Sequence, residues 1–218
     1  KKNWVSSINT YMATPFADIR QAAGDNMDRS VQWYVRAVRD YARGVNTFQE
    51  ARSTDLGKKA RQLEVGKMYM FSYDPKWKAD LPYYDTVPLV VITEPMPQGF
   101  SGINLHYLAP TFRANLLDKI YPVDKQNITD KSTLRSTWAS VRNFSRFPEV
   151  RGSVKKYLTA NITGEMIEVD PKNWKSAIFL PVQKFVGATE RTVYKDTMEK
   201  PERKRRMSVS TAALSRRK

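Results

Sequence analysis

The stretch Gly66–Ile92, GKMYMFSYDPKWKADLPYYDTVPLVVI, restricts the fold more than any other part of this 218-residue sequence. Met68 and Met70 alternate with Tyr69, Phe71 and Tyr73. A period of two sends successive side chains to opposite faces of a strand, whereas a helix needs a period of about 3.6. With methionines covering one face, the three rings on the other are expected to pack in a core rather than meet a ligand. Asp74 and Pro75 end the strand. The following DPKWKADLPYYD sets prolines among lysines and aspartates, which is loop chemistry, and a loop is where a rigid scaffold presents its contacts. Lys76, Trp77, Lys78, Tyr83 and Tyr84 are the interaction loop expected from it. Pro88 then leads a short aliphatic strand, PLVVIT, and GINLHYL alternates Ile103, Leu105 and Tyr107 against Asn104, His106 and Leu108 as a further strand. TEPMPQGFSG and APT read as turns.

Around this β-rich centre the pattern changes. DRSVQWYVRAVRDYARG places Val31, Tyr34, Val35, Val38, Tyr41 and Ala42 at helical spacing, with Arg36, Arg39 and Arg43 opposite. An amphipathic helix is expected there, capped by Asp28 or Ser30 and ended by Gly44. Its arginine row would suit phosphates, although a solvated face is the commoner meaning of such a row. PTFRANLLDKI reads as a short helix opened by Pro110 or Thr111, with Phe112, Leu116 and Ile120 inward. Leu134, Trp138 and Val141 share the face of another helical candidate within residues 124–150. VKKYLTANI, GEMIEVD and WKSAIFLPVQKF supply the remaining strands. This order predicts an α+β fold: a small SH3-like bent β-barrel with helical insertions, preceded by the amphipathic helix and flanked by extended arms. The expected divisions are an N-terminal arm over 1–27, helix and connector over 28–60, the barrel-like domain over 61–187 and a basic C-terminal arm over 188–218.

Thirty-seven Lys and Arg against 22 Asp and Glu leave a formal net charge of +15, which attracts polyanions from a distance. Nucleic acid is the first partner to weigh, against the alternative that the charge sits in solvated tails. Two basic clusters, Arg203, Lys204, Arg205 and Arg206, then Arg216, Arg217 and Lys218, stand among small polar residues near the end. These are the expected DNA-binding residues, because phosphate neutralisation by such an arm is independent of base sequence and strongly dependent on salt. No stretch approaches the roughly 18 apolar residues of a membrane span, and no basic helix carries a broad apolar face, so no membrane partner is expected. Lys1 opens the chain without a Met, and the natural start is expected upstream.

Catalysis finds little support in the residues. The absence of Cys excludes disulfides and thiolate chemistry. The single His106 alternates with apolar strand positions and reads as a packed or surface residue. Asp74, Asp80 and Asp85 lack the spacing of a calcium loop, and there is neither a glycine-rich phosphate loop nor a nucleophile elbow. A two-carboxylate hydrolytic centre stays open, but no metal and no cofactor is expected. SYDP followed by PLVVI resembles the opening of the small barrel ribonucleases of toxin–antitoxin pairs. Their second strand begins Arg-Pro, and Val87 stands in the arginine's place here. That likeness is one of architecture, which does not transmit activity.

A longer chain of motifs runs through Tyr73, Asp74, Pro75 and Lys76, then Leu81, Pro82, Tyr83, Tyr84 and Asp85, then Gly102, Asn104, His106, Tyr107 and Leu108. VKKYL and WKSAIFLPVQKF follow in order. Over roughly residues 60–187 this resembles the virion proteins of large contractile-tailed bacteriophages described as DNA end protectors, a minor head-completion family. The resemblance implies a non-enzymatic structural protein located in the virion after assembly in the host cytoplasm. It also implies partners among the neck, tail or portal proteins, a place in a symmetric multi-subunit assembly, and packaged double-stranded DNA as a further partner. The competing readings are a barrel-type nuclease and a dedicated DNA-binding protein that stacks Trp77 or Tyr83 on exposed bases.

Overall fold

The fold is described from a computed structural model, which describes Arg36 and residues 56–120, 148–180 and 183–199. Six strands form one antiparallel sheet in the order β1-β7-β2-β4-β5-β6: β1 Gly57–Lys59, β2 Met68–Met70, β4 Leu89–Met96, β5 Gly99–Asn104, β6 Val154–Leu158 and β7 Ile167–Val169. Two short strands, β3 (Tyr84–Asp85) and β8 (Phe185–Val186), pair separately. The helices are α1 (Pro110–Ile120), α2 (Pro148–Arg151), α3 (Trp174–Ala177) and α4 over residues 190–199.

The alternation around Met68 produces a sheet with two chemically distinct faces. Met68, Met70, Leu89, Val91 and Ile103 point to an aliphatic core closed by Leu116 and Leu117 of α1 and by Trp174 and Ala177 of α3. Tyr69, Phe71, Tyr73, Val90, Ile92, Phe100 and Tyr157 point the other way into a mainly aromatic core. Phe71 sits in the middle of it, edge-on to Tyr73 at 6.1 Å, Phe100 at 5.8 Å and Tyr157 at 5.3 Å. Edge-to-face rings at this separation add stabilisation beyond area burial. At Gly102 the pleat has no room for a side chain, since a Cβ would overlap Val90 and lie 2.7 Å from the Val91 carbonyl oxygen.

The expected barrel does not close. No described pairing joins β6 back to β1, and on the outer side of β6 the Leu158 N–H donates to the Tyr73 hydroxyl at 3.2 Å, so a side chain stands where a closing strand would run. Both edge strands carry lysines, Lys58 and Lys59 on β1 and Lys155 and Lys156 on β6, which discourages edge-to-edge pairing.

Other local expectations also shift. β4 runs on through Pro95 to Met96, so the turn contracts to Pro97 and Gln98. The proline is tolerated because it follows the bulge at Ile92/Glu94 and lies beyond the part of β4 paired with β2. GINLHYL leaves the sheet at Asn104, whose side chain caps a tight turn over Leu105–Tyr107. WKSAIFLPVQKF begins as helix α3, anchored by the Trp174 Nε1–H donating to the Val169 carbonyl at 3.0 Å, and among its described residues strand begins at Phe185, paired on into Val186. Residues 190–199 form α4, which starts behind Thr189, whose Oγ1 accepts the Thr192 N–H, and buries Val193 and Thr197. Of the expected N-terminal helix only Arg36 is described, helical and exposed. The candidate helix bearing Leu134, Trp138 and Val141 lies outside the described residues.

One carboxylate ties these pieces together. Asp85 is buried, and its Oδ1 accepts the backbone N–H groups of Val87 at 3.0 Å and Lys184 at 3.3 Å. Its Oδ2 accepts the Asn104 amide at 3.2 Å and His106 Nδ1–H at 2.7 Å. The same Asn104 amide reaches the Tyr157 hydroxyl at 3.0 Å. Four donors fill the acceptor capacity of a carboxylate, and they come from the approach to β4, the end of β5, the turn behind it and the approach to β8. Beside this network the buried Arg113 donates to the carbonyls of Leu108, Ile178 and His106 and to the Tyr194 hydroxyl, fastening α1 to α4.

Phe71→Ala is expected to cost about 3–5 kcal/mol in urea or guanidinium unfolding, the usual result of emptying a close-packed aromatic site. Asp85→Ala should cost a similar amount, about 3–5 kcal/mol, by stranding buried donors and His106. Burial, the largest influence on the Asp85 carboxyl, raises its pKa, but His106 and the hydrogen bonds from Val87 and Asn104 together hold it below the ordinary 3.8. A depressed folded-state pKa means stability that is present above the unfolded value and lost as pH falls through the folded one. Acid unfolding should therefore show a loss of stability beginning near pH 3.8 in the natural protein that Asp85→Asn lacks.

Candidate functional site

After β2 the chain makes the loop 74–84, which runs into the first residue of β3 and is held at both ends. At its start Asp74 and Asn161 are joined twice: the Asp74 N–H donates to the Asn161 carbonyl at 3.0 Å, and the Asn161 amide donates to the Asp74 carbonyl at 2.8 Å. At its end stands Asp85 with its four donors. The loop itself turns where the Asp80 N–H meets the Trp77 carbonyl at 3.1 Å. Ends fixed in this way set the position of the side chains between them.

This loop and β6 enclose a groove of about 340 Å³. The loop side contributes Pro75, Lys76, Trp77, Leu81 and Tyr84, while β6 contributes Lys155, Lys156 and Leu158. Tyr73, Tyr83, Tyr107 and Tyr157 complete the lining, together with Asp85. Tyr73 and Tyr157 meet edge-on at 5.0 Å and belong to the aromatic core, so that wall of the groove is the sheet itself. Tyr107 is held between Tyr83 and Phe185, at 6.0 and 5.2 Å.

The accessible surface of the groove is aromatic and cationic. Trp77 is 64% exposed and Leu81 42%, so both present apolar surface to solvent at the groove. Lys155 Nζ lies 4.0 Å from the centre of the Tyr107 ring and Lys76 Nζ 5.1 Å from that of Trp77, within the range of a cation–π attraction. Lys76 and Lys156 make no ion pair among the described residues. Burial pushes the Tyr107 and Tyr157 hydroxyls up, so these rings stay neutral. The one carboxylate in the lining, Asp85, is buried and its oxygens are fully engaged.

Of the interaction loop expected from sequence, Lys76, Trp77, Tyr83 and Tyr84 line this groove. Lys78 stands outside it, its Nζ on the Asp74 carboxylate at 2.9 Å. Arg203, Lys204, Arg205, Arg206, Arg216, Arg217 and Lys218 lie outside the described residues. Sequence reasoning missed the β6 side, Lys155 and Lys156, and the shared floor of Tyr107 and Tyr157. The adjacent lysines of VKKYL were visible, but nothing local says that β6 lies across from the loop.

His106 is buried rather than on the surface, at 2.7 Å from Asp85. The pair has the form of an orienting carboxylate and imidazole, but it lies inside the body, and His106 Nε2 is buried without a partner among the described residues. No group of three His, Asp or Glu side chains suited to a metal ion occurs among the described residues, and no described helix is long and apolar enough to cross a membrane.

Comparison with curated proteins and with solved structures finds no match. The family model described as the phage T4 terminal DNA protecting protein matches residues 1–200. That description names protection of DNA, a role requiring no bond-making chemistry, and it fits a chain of net charge +15 whose body presents aromatic rings beside lysines. The matched span takes in every strand and helix of the body, and the chain belongs to the family of the phage T4 terminal DNA protecting protein.

Proposed function

We propose that this chain is a non-enzymatic virion protein that sits on the end of the packaged double-stranded DNA, as a minor component of the head-completion or neck region. The observation that carries this reading is the family match over residues 1–200. In this reading the basic clusters Arg203–Arg206 and Arg216–Lys218 neutralise phosphates without reading bases. The body, through Lys76, Trp77, Lys78, Tyr83 and Tyr84, provides the contact surface at the terminus and towards neighbouring virion proteins. A symmetric multi-subunit setting, with assembly in the host cytoplasm, follows from the same placement. The nuclease alternative loses its architectural support, since the sheet is open and the Asp85–His106 pair is engaged in holding the fold.

The full chain should bind short linear duplexes in preference to a closed circle of equal mass, because linear fragments offer more ends, and it should slow exonuclease digestion. Affinity should fall steeply with salt. A chain ending at residue 199 removes all seven clustered Arg and Lys residues and should flatten the slope of log K against log salt by up to about 6. Equal competition by linear and circular DNA, with digestion unaffected, would falsify the reading.

A further inference from the structure

We infer that the groove between the 74–84 loop and β6 binds an unpaired nucleotide at the DNA terminus, so that the protein selects ends carrying a single-stranded overhang over blunt ones. The inference rests on the DNA-end reading above and goes beyond it by naming the chemical form of the end. A volume of about 340 Å³ is near the lower bound for small-ligand pockets. Such a space takes one base with its sugar and phosphate, and a paired duplex end does not enter it.

The lining matches that ligand at each of its parts. Trp77, exposed and at the rim, and the half-buried Tyr84 offer ring faces to a base, and stacking on such faces tolerates any base. Lys76 and Lys156, both exposed, stand on opposite sides of the groove where a strand's phosphates would leave it. The sole carboxylate in the lining keeps its oxygens on four donors, so it does not compete with a phosphate for the lysines. Charge also decides against a neutral peptide as occupant: three lysines line the groove, and the tyrosines below them remain neutral. The loop is fixed at both ends before any ligand arrives, which lowers the ordering cost of binding.

The test uses the full chain and one short duplex, either blunt or carrying a few unpaired thymidines at each end, with affinities read by fluorescence anisotropy. The overhang should tighten binding roughly tenfold, the effect of about one stacked base. Trp77→Ala should bring the ratio of overhang to blunt affinity close to one, and Trp77→Phe should restore most of it. Because Trp77 is exposed, the alanine variant should melt as the natural protein does. Lys76→Gln with Lys156→Gln should make the salt dependence shallower for the overhang duplex more than for the blunt one. If the natural protein binds both duplexes equally, the inference is wrong while the DNA-end reading stands; binding to neither overturns both. A Trp77→Ala ratio matching that of the natural protein also overturns the inference, and points to a virion-protein segment as the occupant of the groove.

Discussion

Everything that faces the groove hangs on the buried carboxylate of Asp85. A carboxylate is costly to remove from water unless each oxygen is engaged, and here the engaging groups come from three separate stretches of sequence: Val87, Asn104 with His106, and Lys184. Satisfying one residue thereby fixes the end of the 74–84 loop, the exit of β5, the approach to β8 and, through Asn104, Tyr157 near the end of β6. Breaking it would leave several buried donors unpaired at once, which is why this constraint has more reach than any single apolar contact.

The sheet supplies the second requirement, a rigid wall. Its aliphatic face is sealed by α1 and α3, and its aromatic face packs Phe71 among three rings. Tyr157 and Tyr73 belong to that core and to the groove at the same time. The groove is thus the edge of the core rather than a depression in a mobile surface, and its openness follows from the barrel's failure to close. Had a strand paired with β6 on its outer side, the space between β6 and the loop would not exist.

Membership in a DNA-protecting family gives this geometry its context. Long-range attraction needs only net charge, and the sequence carries +15. Discrimination among ends needs shape, and shape is what the body offers. In the proposed reading, basic clusters supply salt-dependent affinity while a small aromatic site supplies selectivity, the combination common to proteins that hold single strands.

The sequence by itself determined the strands around Met68 and Leu89, the loop between them, the helix opened by Pro110, the absence of thiol chemistry and the motif chain that identifies the family. Each of these is local: a period of two, a proline, a composition or an ordered set of short matches. The open sheet, the helical turn at Trp174, the burial of His106 on Asp85 and the meeting of Lys155 and Lys156 with Trp77 were decided only by tertiary structure. Strand closure depends on which edges meet, and Asp85 and His106 are separated by 21 positions with nothing in their neighbours to pair them. Likewise, Lys156 and Trp77 occupy two segments that face one another only because β5 places β6 beside the loop. Period and composition report what each segment wants to bury; only packing reports which segments bury it together.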